Sequence, residues 1–125
     1  PLRVAAAVER IGGDPAPLKR AFAEAALADG ASRVAAHFGI ACERLPEADL
    51  ETAMTDFAHR HALTQIVTAF APVGPVADWL ARLAAVLAPK GVALVPVRRR
   101  WDERAFPAAT GGFFAFRRVI PALLA

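Results

Sequence analysis

Residues Thr64 to Val97 constrain the fold more than any other stretch, because they read in succession as strand, loop, helix and strand. Thr64-Gln-Ile-Val-Thr-Ala-Phe70 is short and rich in β-branched and aromatic residues, the composition of a buried strand. Ala71-Pro-Val-Gly-Pro75 breaks it, since proline and glycine do not carry a regular ladder onward. From Val76 to Ala88, the apolar residues Val76, Trp79, Leu80, Leu83, Val86 and Leu87 share one helical face, with Asp78 and Arg82 off it. Pro89-Lys-Gly91 stops that helix and Val92-Ala-Leu-Val95 restarts a β run. Two apolar strands joined by an amphipathic helix run parallel, with a right-handed crossover. The chain therefore reads as α/β.

The preceding residues repeat the alternation. Leu2 to Val8 is a candidate first strand. Ile11-Gly-Gly-Asp-Pro15 is a loop in which Asp14 can cap a helix and Pro15 suits its first position. Leu18, Phe22, Ala25 and Ala26 form its apolar stripe, and Asp29-Gly30 reads as its stop. Ser32 then caps a second short helix through Phe38, or the first resumes after a break. Ile40 to Leu45 is a second strand, and Pro46-Glu47 opens a helix whose stripe is Leu50, Ala53, Met54, Phe57, Ala58 and His61. The order β, α, β, α, β, α, β predicts an open, doubly wound parallel sheet, Rossmann-like or flavodoxin-like in three layers, with about four to five strands.

That pattern divides the chain into a sheet domain, residues 1–97, and a C-terminal tail or linker, residues 98–125. Beyond Val97 the apolar period fails, and Ala108 to Gly112 reads as a loop. Charge divides at the same place. Residues 1–97 hold nine Lys and Arg against ten Asp and Glu, whereas 98–125 hold six arginines against Asp102 and Glu103. The basic character belongs to the tail, where it suits a phosphate, nucleic acid or an acidic partner, or is simply a solvated surface.

Several chemistries lack their signatures. Gly12-Gly13-Asp14-Pro15 does not supply G-x-G-x-x-G, and no G-x-x-x-x-G-K-[ST] occurs. His59 and His61 lie two apart rather than at i, i+4, so both read as packed or helix-end residues, and His37 stands alone. Cys42 has no activating base beside it, and Ser32 lacks a nucleophile elbow. No catalytic residue and no metal ligand is assigned. The lone cysteine fits a reducing cytoplasm. No uninterrupted apolar run approaches the roughly eighteen residues of a membrane span. Opening on Pro1, with Glu9 and Arg10 soon after, the chain is expected to be a processed or truncated piece without a retained signal peptide.

Two stretches remain as candidate sites. The loop before the third helix lies where an open parallel sheet binds ligands, beyond the carboxyl ends of its strands. There Pro72, Gly74 and Pro75 shape the backbone, and Trp79 either stacks on a ligand or belongs to the core. In the tail, Arg98, Arg99, Arg100 and Arg104 with Trp101 can grip phosphates or a partner, the alternative being interdomain packing through ion pairs.

The stretch Thr64 to Asp78, its helix and Gly91-Val-Ala-Leu-Val95 resemble the strand, proline loop, helix with an early aspartate and glycine-led strand of the photolyase/cryptochrome flavoproteins. Trp101-Asp102, Phe106-Pro107, Thr110-Gly-Gly-Phe-Phe-Ala-Phe116 and Ile120-Pro121 are similar to the exit from that family's N-terminal α/β domain into its interdomain linker. Leu2 to Val8 lacks the aromatic and basic residues and the following Asp-Asn pair of the family's opening strand. The resemblance implies an antenna-type domain, non-catalytic by itself. FAD would sit in a separate helical domain of the parent protein, a DNA photolyase (a lyase) or a photoreceptor. An antenna chromophore, in members that carry one, would lie near the 71–75 loop. DNA would be met only through the parent. The expected partner of the tail is that helical domain, with no membrane involved. Two other readings stay open: an interaction module that dimerises through the tail with a second copy, and a small α/β enzyme. Exposure of Trp101, Phe113, Phe114 and Phe116 is expected if the tail docks on a partner.

Overall fold

The computed structural model describes residues 2–8, 16–46 and 48–124. The expected loop cap at Asp14-Pro15 and the helix opening at Glu47 lie outside them. Along the chain come β1 (Ala5–Ala7), α1 (Pro17–Phe38), β2 (Cys42–Arg44), α2 (Leu50–Arg60), β3 (Gln65–Ala69), α3 (Pro75–Leu87), β4 (Ala93–Val97), α4 (Arg100–Ala105) and α5 (Phe113–Leu124). Short 3-10 turns follow α3 and α4.

The strands are parallel, as their helical connections require, but among the described residues they form two sheets of two strands rather than one sheet of four or five. Ala5 to Ala7 pair with Cys42 to Arg44, and Gln65 to Ala69 with Ala93 to Val97. No ladder joins β1 to β3. The alanines of β1 offer little side chain to hold a neighbour, which accords with its short pairing. Pro96 sits on β4 at a position whose backbone points away from β3, because Ala93 donates toward Thr64 and Val97 accepts from Phe70. A residue without N–H on that outer edge leaves no ladder bond broken and blunts the edge against further pairing.

One core organises the helices. Leu45, Leu50, Met54, Phe57, Ala58, Trp79, Leu83, Leu87 and Val92 are buried together, and Val4, Ala6, Val8, Ile66 and Leu94 pack against them. α2 and α3 therefore share one face of the strands. α1 contributes no residue to this cluster yet contacts β1 and β2, so it lies over the opposite face.

The helices depart from the sequence pattern in four places. Asp29-Gly30 does not stop α1, which runs unbroken to Gly39, whose left-handed backbone (φ 64°) ends it. A single interior glycine costs about 1 kcal/mol relative to alanine, and the contacts of α1 with β1 and β2 hold the helix through it. The stripe Leu18, Phe22, Ala25 and Ala26 faces outward, while Ala23, Leu27, Ala31 and Val34 sit inward. A helix with alanine on every side has no unique apolar face, and small inward residues let it approach the sheet. α2 begins at Leu50 because Asp49 caps it, accepting from the Thr52 N–H at 3.1 Å. Finally, residues 100–124 are helical rather than irregular. Phe113, Phe116, Ile120 and Leu124 recur at helical spacing in α5, whose start is set off by Gly112 at φ 78°.

Candidate functional site

Parallel pairing of β3 and β4 brings the two candidate stretches to the same edge. Ala69 lies opposite Val97, and the Phe70 N–H donates to the Val97 carbonyl at 3.0 Å. The 71–75 loop and the arginine run thus leave the sheet side by side, at its carboxyl end. Sequence spacing separates them by more than twenty residues; the register removes that separation.

Arg98 is the centre of this edge. Its guanidinium carbon stands 3.9 Å from the Phe70 ring centroid and 4.8 Å from that of Phe106, and the two rings meet edge to face at 6.4 Å. Two aromatic surfaces fix the plane of the guanidinium while its N–H groups stay available at the edge. Neither ring was a candidate from the sequence. The available signal was an aromatic residue ending a strand just before a proline loop.

Arg99 is committed elsewhere. It donates twice to Asp102, Nε to Oδ2 at 2.6 Å and Nη2 to Oδ1 at 3.0 Å. The bidentate bond from Arg99 holds the Asp102 carboxyl below its ordinary value, with the Arg99 and Arg98 charges adding to it. Arg100, Trp101 and Arg104 ride on α4 and are exposed, Trp101 by 45%. Among the described residues, Arg100 and Arg104 form no ion pair.

In the loop, Gly74 adopts φ 105° as the residue before α3, and its carbonyl accepts from the Asp78 N–H at 3.1 Å. A side chain there would be strained, since only glycine visits this region at low cost. Pro75 takes the first helical position. Pro72 and Pro75 are exposed and Gly74 half-buried. Trp79 is not with them: it lies in the core at 4% exposure, and its indole Nε1 has no hydrogen-bond acceptor among the described residues. The arrangement at this edge can hold an anion or an aromatic-rich partner surface. Among the described residues it contains no nucleophile beside a base, and no group of three His, Cys, Asp or Glu side chains is placed to hold a metal.

A separate polar cluster sits between β2 and α2. Glu43 accepts from Arg60 Nη2 at 2.6 Å and is bonded to His61 Nε2, whose ring also tilts on Phe57 at 4.9 Å. The bond from His61, then that from Arg60, holds the Glu43 carboxyl below its ordinary value against the opposing effect of desolvation. His61 is thus a helix-end histidine engaged by a strand carboxylate.

Compared with known proteins, the chain matches no family model, no curated protein and no solved structure.

Proposed function

We propose that this chain is the α/β domain of a flavoprotein of the photolyase/cryptochrome kind, non-catalytic by itself, and that its C-terminal segment docks on a helical flavin-binding domain. The observation that carries the reading is the outward display of apolar surface by that segment. Phe113 and Phe114 are 66% and 77% exposed, Trp101 and Phe106 are exposed as well, and Phe116 is half-buried. The 3-10 turn at 106–111 packs mainly on α4 and α5 rather than on the sheet. A cluster of this kind in a segment with six arginines is the composition of an interface, where aromatic and arginine side chains are enriched.

In this reading the sheet is the open doubly wound one, the two sheets of two strands being its halves. Light-dependent chemistry on DNA, or light sensing, belongs to the parent protein in the cytoplasm. The carboxyl edge at Pro72, Gly74, Pro75 and Arg98 faces the flavin domain, and an antenna chromophore, where present, lies there.

The test is to express the natural gene with all of its encoded segments and record its visible spectrum and light-dependent turnover on damaged DNA. The expected product carries flavin, whereas residues 1–125 alone are colourless and inactive. A flavin-free natural product, or turnover by the isolated chain, overturns the reading. The amphipathic α5, with Phe113 and Leu124 exposed, favours a second reading, a dimer formed through the tail. A ligand-free dimer in sedimentation equilibrium, lost on substitution of Phe113 and Phe114, selects that one.

A further inference from the structure

A cleft of about 700 Å³ is lined by residues of both β1 and β3. Its walls include Val4, Phe57, Trp79, Leu83, Val34 and Ile66, so both α1 and the α2–α3 layer contribute to it. In a parallel ladder, alternate residues turn their N–H and C=O to opposite sides. The Ala5 N–H donates to Ala41 and the Ala7 carbonyl accepts from Leu45, so Val4, Ala6 and Val8 present theirs on the other side, toward β3. On β3, the Thr64 carbonyl and the Phe70 N–H are turned to β4, which leaves Gln65, Val67 and Ala69 turned toward β1. Two strand edges thus confront each other across a space, and no ladder closes it. Gln65, Val67 and Ala69 are exposed, so the backbone groups of this edge are met by water until a strand displaces it.

We propose that this cleft receives one extended, apolar segment of a partner polypeptide, which becomes the central strand of a continuous sheet between β1 and β3. A strand is the occupant that answers both edges at once, because it alone offers donors and acceptors along its two sides at the required repeat. α2 and α3 cover one face of the cleft and Val34 of α1 lines the other, so a valine- and isoleucine-rich segment without proline fits it. The buried Trp79 Nε1–H, which has no acceptor among the described residues, lies in the wall of the same cleft. The inference does not depend on the flavoprotein reading.

The test uses the whole chain and a synthetic valine- and isoleucine-rich peptide of about six residues, the usual strand length. Hydrogen exchange is followed at the amides of Val4, Ala6, Val8, Gln65, Val67 and Ala69. These amides exchange freely without peptide and slow by about tenfold or more when it is added. A peptide of the same sequence with alternate N-methylated amides gives no protection. Equal protection before and after addition would show that β1 and β3 pair directly and would overturn the proposal, as would failure of the peptide to protect. Protection by the N-methylated peptide would exclude strand pairing. Protection that grows with protein concentration in the absence of peptide would make a second copy the occupant and overturn the assignment to a partner.

Discussion

The Arg98 guanidinium lies against the Phe70 ring, 3.9 Å from its centroid, and so ties the first residue after β4 to the first residue after β3. Both residues are on the surface at the carboxyl edge of the sheet, so the contact positions the arginine more than it stabilises the fold. In a double-mutant cycle of Arg98→Ala and Phe70→Ala, the coupling read from urea unfolding is expected near 0.5–1 kcal/mol, about the size of an exposed cation–π contact. Arg98→Lys keeps the charge but loses planar stacking, and most of the coupling should go with it. Zero coupling would mean that the rings do not hold the guanidinium.

Acid should weaken the junction of β2 with α2. The folded-state pKa of Glu43 is lowered from 4.5, chiefly by the bond from His61. The unfolded chain therefore binds more protons than the folded one just below that value, and stability rises with pH there. The contribution is fully present above about 4.5 and is lost as pH falls through the lowered folded value. Urea midpoints measured across this range should fall less steeply in Glu43→Gln than in the wild type. Asp49 and Asp102, which are lowered for the same kind of reason, leave the variant with a residual slope. Identical slopes in the two proteins would sever the link.

Leu83 is fully buried at the meeting of α3 with the core. Leu83→Ala removes apolar contacts and leaves a cavity, and an unfolding loss of about 2–5 kcal/mol is expected by chemical denaturation. Leu18 on the outer face of α1 is 87% exposed, so Leu18→Ser should change the same measurement by less than about 0.5 kcal/mol. Equal losses at the two positions would contradict the inward placing of Leu83 and the outward placing of Leu18.

Gly91 holds φ 74° between the 3-10 turn and β4, and a Cβ there would touch nothing within 4 Å. Crowding is therefore not the issue; backbone conformation is. Gly91→Ala should cost about 1–2 kcal/mol, the penalty of a left-handed L-residue. Gly91→Asn should recover part of it, since asparagine tolerates that region better.

The segment Thr64 to Val97 was legible because its signals agree. β-Branched strands, a proline–glycine loop, an apolar stripe and a glycine stop all point to one structure, and Trp79, Leu83 and Leu87 are buried as the stripe requires. Val76 and Val86 on the same stripe remain exposed, because the layer beneath α3 is narrower than the stripe. α1 was less legible, since alanines on every side offer no preferred face. The helices of the tail were less legible for a different reason: α4 is short and is followed by Pro107, Gly111 and Gly112, so no period shows until α5 begins as its own unit.

What the sequence determined by itself is the local grammar: strand and helix types, the parallel sense that a helical crossover imposes, and the concentration of arginine after Val97. Those follow from propensity, periodicity and charge, all of which act over a few residues. Only the tertiary structure decided that Phe70, Phe106 and Arg98 meet, that Glu43 engages Arg60 and His61, and that no ladder joins β1 to β3. Each of these depends on register and layer packing between distant segments. Such relations are set by which surfaces exclude water together, and no local pattern encodes them.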